Sequence, residues 1–126
     1  MHTFEELKSV IAELRSEHGC PWDREQTFES LKSCLLEESG EVIQAIDHQD
    51  MENLCEELGD VLMQVLMYSQ IAGEKGLFTL DDVVDGVCGK LIRRHPHVFG
   101  DAKALTPEES LALWNEIKKQ EKSKKP

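Results

Sequence analysis

Between Leu31 and Ala72 lie two acidic runs, EESGE at 37–41 and EELGD at 56–60, spaced evenly about Gln49. Apolar residues recur at helical spacing on both sides of Gln49, so the stretch reads as two helices folded back on each other. Glu41 and Glu57 each lie eight residues from Gln49, and Glu38 and Asp60 each lie eleven. In an antiparallel pair, equal distances from the turn mean equal heights. Glu38 therefore faces Asp60, and Glu41 faces Glu57. Within each helix the i, i+3 spacing sets both acids on one face, about one turn apart. Four carboxylates at two matched levels form an oxygen-lined cage.

At about 100° per residue, Leu31, Leu35, Val42 and Ile46 fall on one stripe of the first helix. Glu38 lies inside that stripe and Glu41 on its flank. On the second helix Leu54, Leu58, Val61, Val65 and Ala72 form the stripe, with Glu57, Asp60 and Gln64 along one edge. A core-facing carboxylate is costly unless a cation or hydrogen bonds compensate it. No Lys or Arg lies between Lys32 and Lys75 to do so. A metal is the natural candidate. An all-carboxylate set suits Mg²⁺, with Mn²⁺ as a substitute. A di-iron bundle would want Glu-x-x-His pairs, and neither helix has one. The plainer reading, two ordinary solvated acidic faces, does not account for matched heights, core-side placement and absent counter-cations together.

The chain of 126 residues is 40% apolar and is expected to fold as one domain around a real core. No apolar run approaches membrane-spanning length, and no signal-peptide pattern opens the chain, so a cytoplasmic protein is expected. The net charge of −11 argues against general nucleic-acid or membrane-surface binding. Four widely spaced cysteines include no C-x-x-C pair, and three fall in helix patterns as buried free thiols. The basic residues cluster: Lys90, Arg93 and Arg94 in one place, Lys118 to Lys125 in another. A cationic patch on an acidic chain points to a specific anion.

Along the chain, Thr3 and Glu6 have a capping-box pattern opening a helix that should stop at Gly19, a C′-type glycine. Residues 20–27 read as a loop, with Trp22 either plugging the end of the bundle or lining a base pocket. The acidic helices then run from about Phe28 to His48 and from Asp50, an N-cap, to Lys75-Gly76. Gly40 and Gly59 inside them imply close packing of a neighbouring element, since a mid-helix Gly costs roughly 1 kcal/mol against Ala. Thr79 and Asp82 cap a fourth helix carrying Leu80, Val83, Val84, Val87, Cys88, Leu91 and Ile92, which Pro96 ends. After a His-Pro-His turn, Thr106-Pro107-Glu108-Glu109 starts a fifth helix, on which Trp114 and Lys118 are i, i+4. The fold class is all-α, an antiparallel helix bundle spanning 1–118 with a flexible basic tail over 119–126. Met63, Leu66, Met67 and Ile71 lie off the stripe of their helix and would bury only against another subunit. A homodimer, or a tetramer, is expected to complete the bundle.

Together these motifs resemble the MazG-like nucleoside triphosphate pyrophosphohydrolases. The resemblance runs from CPWDREQTF (20–28) through EESGE, EELGD and KLIRRHPHVFG (90–100) to LALWNEIK (111–118). The family pattern EE-x-x-E followed by E-x-x-D is met by Glu37, Glu38, Glu41, Glu57 and Asp60. The resemblance implies cleavage of a nucleoside triphosphate between its α- and β-phosphates, giving a monophosphate and pyrophosphate. It also implies that Glu38, Glu41, Glu57 and Asp60 hold Mg²⁺, with Glu37 binding a further ion or positioning water, so that Glu37 and Glu38 are the catalytic candidates. Lys90, Arg94, Trp114 and Lys118 match substrate-binding positions, and Trp22 is a further candidate for the base. Two other readings stay open. One is a non-catalytic acidic interaction module; the other is a related all-α pyrophosphohydrolase of the dUTPase-like or phosphoribosyl-ATP-like kind.

Overall fold

The computed structural model describes residues 1–124, and all its regular structure is helical. Thr3 Oγ1 accepts from the Glu6 N–H at 3.1 Å and opens α1 (Phe4–Leu14). The helix ends at Leu14, short of Gly19. Gly19 folds back beneath it, where a Cβ would collide with the carbonyl oxygens of Glu13 and Leu14. Its necessity is thus steric and not the left-handed backbone of a C′ glycine; among the glycines only Gly76 has positive φ. Residues 21–25, expected as loop, form a short helix α2 (Pro21–Glu25) with Pro at its first position. Thr27 and Ser30 then cap each other reciprocally, and α3 (Lys32–Asp47) follows.

The turn falls where counting placed it. Gln49 adopts φ 53°, while the Asp50 N–H reaches back to Ala45 O at 3.0 Å and the Gln49 N–H to Ile46 O at 3.0 Å. This is a Schellman ending on a non-glycine residue. Asp50 at once caps α4 (Met51–Glu74) by accepting from the Asn53 N–H. At its far end Gly76, φ 67°, closes a second Schellman motif, with the Leu77 N–H bonded to Ala72 O.

The chain divides into two compact units, Met1–Leu80 and a second from Asp81 onward. The core of the first consists of Ile11, Leu31, Leu66, Met67 and Ile71, with Leu7, Phe28, Cys34, Met63, Tyr68 and Leu80 packed around it. Tyr68 stacks on Phe28 and donates its hydroxyl to the Phe28 carbonyl. This corrects the expected faces. Leu66, Met67 and Ile71 are buried within this chain, whereas Leu58 is 52% exposed and Val65 and Ile46 also face outward. The physical reason is that α4 packs on α1 as well as α3, which turns its buried face toward residues 57, 64 and 71. Those three positions are spaced i, i+7, so Glu57 sits on the buried face itself, with Asp60 half-buried. Gly40 and Gly59 also depart from expectation: a Cβ at either meets nothing within 4 Å.

An interaction that sequence distance concealed ties this unit together. Arg15 reaches Glu74, 59 residues on, through Nε–Oε2 at 3.0 Å and Nη2–Oε1 at 2.7 Å. Its Nη1 donates to the carbonyls of Asp23 and Gln26, so one guanidinium fastens the 20–27 segment to the end of α4. The four thiols are free, and Cys55 and Cys88 are exposed rather than buried.

The second unit holds most of α5 (Leu80–Arg94), the single turn α6 (Pro96–Phe99) and α7 (Pro107–Ser123). Thr106 caps α7 as expected, accepting from the Glu109 N–H. The helix runs beyond Lys118 to Ser123, through part of the expected tail; residues 125 and 126 lie outside the described residues. No described helix is long and apolar enough to cross a membrane.

Candidate metal centre

The antiparallel α3–α4 pair brings the four paired acids together. One carboxylate oxygen from each of Glu38, Glu41, Glu57 and Asp60 lies within 4.8 Å of the others. The i, i+3 spacing supplies two acids per helix, and the Gln49 turn sets their heights. Glu57 is only 9% exposed. Glu38 Oε2 and Glu57 Oε2 are buried with no hydrogen-bond partner. Among the described residues, no Lys, Arg or His forms an ion pair with any of the four.

Crowding shows in their acidities. Glu57 is raised to about 7, first by its hydrogen bond with Glu41, which requires a shared proton, then by burial and by the charges of Glu41, Asp60 and Glu38. Glu38 is raised chiefly by burial, then by the charges of Glu41 and Asp60. These are groups held apart from any compensating cation. Two orphaned buried oxygens in an all-carboxylate set within 4.8 Å fit a hard divalent ion. Glu37 is exposed and stands outside the cluster, though its charge adds to the shift of Glu38.

In the second unit the basic residues are not equivalent. Arg94 stacks its guanidinium on Trp114, 4.8 Å from the ring centroid, and donates through Nη2 to Glu121 at 2.7 Å. Arg93 also donates to Glu121, at 3.0 Å. His95 meets the edge of Trp114 at 5.4 Å between centroids and lies beside His97. Sequence reasoning missed Glu121, which lies inside the lysine-rich tail. Two arginines that close α5, and a lone acid within the lysine-rich 118–125 run, are the available signal. Glu121 is held below the usual carboxylate range by Arg94 and then Arg93. Lys90 and Lys118 are exposed and unpaired among the described residues. Trp22 is 58% exposed on α2 and plugs nothing.

Residues 26–99 match the MazG nucleotide pyrophosphohydrolase domain. The chain is 55% identical over 97% of its length to the nucleoside triphosphate pyrophosphohydrolase/pyrophosphatase MazG of Thermotoga maritima, covering 46% of that protein. It is 44% identical over 99% of its length to the nucleoside triphosphate pyrophosphohydrolase of Escherichia coli K12, covering 48% of it. The chain thus spans about half the length of these relatives. The crystal structure of a mazG-related protein from Thermotoga maritima superposes with a TM-score of 0.75 at 32% identity, over 91% of this chain and 98% of that one.

Proposed function

Because this chain belongs to the MazG nucleotide pyrophosphohydrolase family, we propose that it hydrolyses nucleoside triphosphates between the α- and β-phosphates, in a Mg²⁺-dependent reaction. The products are a nucleoside monophosphate and pyrophosphate. The observation that carries this reading is the four-carboxylate cage with two orphaned buried oxygens. Glu38, Glu41, Glu57 and Asp60 would hold Mg²⁺, with Mn²⁺ as a substitute. A divalent ion held there would neutralise phosphate charge and acidify a bound water. The chain's own residues supply the rest. Glu37 or Glu38 accepts the proton of the attacking water, and an exposed Glu37 next to the cage suits that task. Lys90 and Lys118, unpaired and exposed, offer cations to the triphosphate. Trp114 offers a ring to the base, and its edge contact with His95 and stacking with Arg94 hold it in one orientation. Arg94, committed to Glu121, changes partner to reach a phosphate or serves by positioning Trp114. Trp22, exposed, is the remaining candidate for base contact.

A homodimer is part of this reading. Twenty-two large apolar residues of the described chain stay exposed, against seven hydrophobic residues that are buried. Leu58, Leu62 and Val65 form an exposed i, i+4, i+7 stripe on α4, and the open space over Gly40 and Gly59 leaves room for a second chain. A cytoplasmic location accords with a nucleotide substrate. The test is product analysis with a panel of standard and modified triphosphates, with and without Mg²⁺. Monophosphate plus pyrophosphate appearing only with the metal supports the proposal. Release of orthophosphate, or no turnover across the panel, overturns it.

A further inference from the structure

Gln64 lies on α4 four residues beyond Asp60 and seven beyond Glu57, on the same buried face. It is 5% exposed, and its Oε1 is buried without a hydrogen-bond partner. A buried amide carbonyl without a donor is costly, so a donor is missing. The apolar core cannot provide one. Leu31, Leu66 and Met67, all buried in that core, carry no donor side chain. Cys34, level with Gln64 by its distance from the Gln49 turn, makes no hydrogen bond to it. The cage lies along the same face of α4, toward its N-terminus. Helical side chains lean toward the helix N-terminus, so Gln64 leans back toward Asp60, over an axial rise of about 6 Å.

What Gln64 leans toward is itself made of acceptors. Glu38 Oε2 and Glu57 Oε2 are orphaned as well. Three buried oxygens on one helix pair, none bonded, cannot satisfy one another once the carboxyls are ionised. A hydrated divalent cation satisfies all three: the carboxylates take the ion, and a water of its hydration shell donates a hydrogen bond outward.

We propose that Gln64 is a positioning residue of the metal centre, accepting a hydrogen bond from a water in the hydration shell of the cation held by Glu38, Glu41, Glu57 and Asp60. This rests on the divalent-cation reading of the cage. It gives the buried amide an occupation that apolar packing does not, since a Leu or Met would fill the space without leaving an unpaired oxygen. Outer partners of this kind commonly change metal affinity by ten- to a hundredfold when removed.

The test is calorimetric titration of the metal-free protein with MgCl₂ and MnCl₂ alone, with melting temperatures read at each point. Gln64→Leu removes the acceptor and keeps the size; Gln64→Met is a second apolar replacement, and Gln64→Glu keeps an acceptor. The expected result is a weakening of about tenfold or more in the Leu and Met variants and wild-type affinity or better in the Glu variant. The metal-free Leu variant should melt at or above the wild-type temperature, because the unpaired amide is gone. A purely structural Gln64 predicts the reverse: a lower metal-free melting temperature and unchanged affinity, and that result overturns the inference. If wild type itself takes up no Mg²⁺ or Mn²⁺, the cage reading fails and the inference falls with it. If wild type binds while all three Gln64 variants bind equally well, the inference alone fails.

Discussion

Glu57 shows how a single side chain records the missing charge. A carboxyl that holds its proton more tightly folded than unfolded stabilises the fold below its unfolded pKa and loses that contribution as pH rises through the folded value. With Glu57 raised from 4.5 to about 7, metal-free protein should lose stability between about pH 4.5 and pH 7 on this account. Melting in EDTA at pH 5 and at pH 8 should show the loss, and Glu57→Gln should flatten it. An unchanged pH slope in the variant would contradict the assignment. Metal binding must displace that proton, so Mg²⁺ affinity should rise over the same interval. Glu74 has the opposite sign. Held low by Arg15, it contributes stability above its unfolded pKa that is lost as pH falls through the folded value.

At the scale of elements, the hairpin turn is the most exposed to test. Gln49 occupies left-handed backbone at φ 53°, a conformation that costs a non-glycine residue about 1 kcal/mol. Gln49→Gly should therefore raise stability by up to about 1 kcal/mol, read by urea denaturation; a loss would mean that the Gln49 side chain contributes more than its strain. Arg15→Ala should cost about 2 kcal/mol, since two backbone carbonyls and Glu74 lose a charged donor, with Lys restoring only part. These elements were unequally legible in the sequence. Heights follow from counting, because an antiparallel pair about one turn residue has one register; hence the juxtaposition of the four cage acids is readable from the sequence. Faces do not follow. Residues 54–72 are apolar on nearly every side, so periodicity alone could not choose between Leu58, Val65 and Leu66, Ile71. The choice was made by α1 packing onto α4, a contact between residues some fifty to sixty apart. Arg15–Glu74 and Arg94–Glu121 were hidden for the same reason. The sequence pattern marks Gly19 as a backbone-angle glycine, whereas the collision with Glu13 and Leu14 is what requires it.

For the whole molecule, the small core beside a large exposed apolar surface is the feature that calls for a partner. Leu62→Glu, placed on the exposed α4 stripe and outside the cage, should convert a dimer to a monomer by light scattering at equal concentration. A wild-type mass equal to one chain would remove the dimer. The central claim is that the α3–α4 cage carries the chemistry, and its most direct measurement compares wild type with Glu38→Gln and Asp60→Asn. Each protein is incubated with a triphosphate and Mg²⁺ while monophosphate and pyrophosphate are quantified and helicity is followed by circular dichroism. The account predicts that both variants keep their helices and lose at least about a hundredfold in turnover, as expected for removal of charge from a metal-assisted site. Full Mg²⁺-dependent activity in both variants would contradict it.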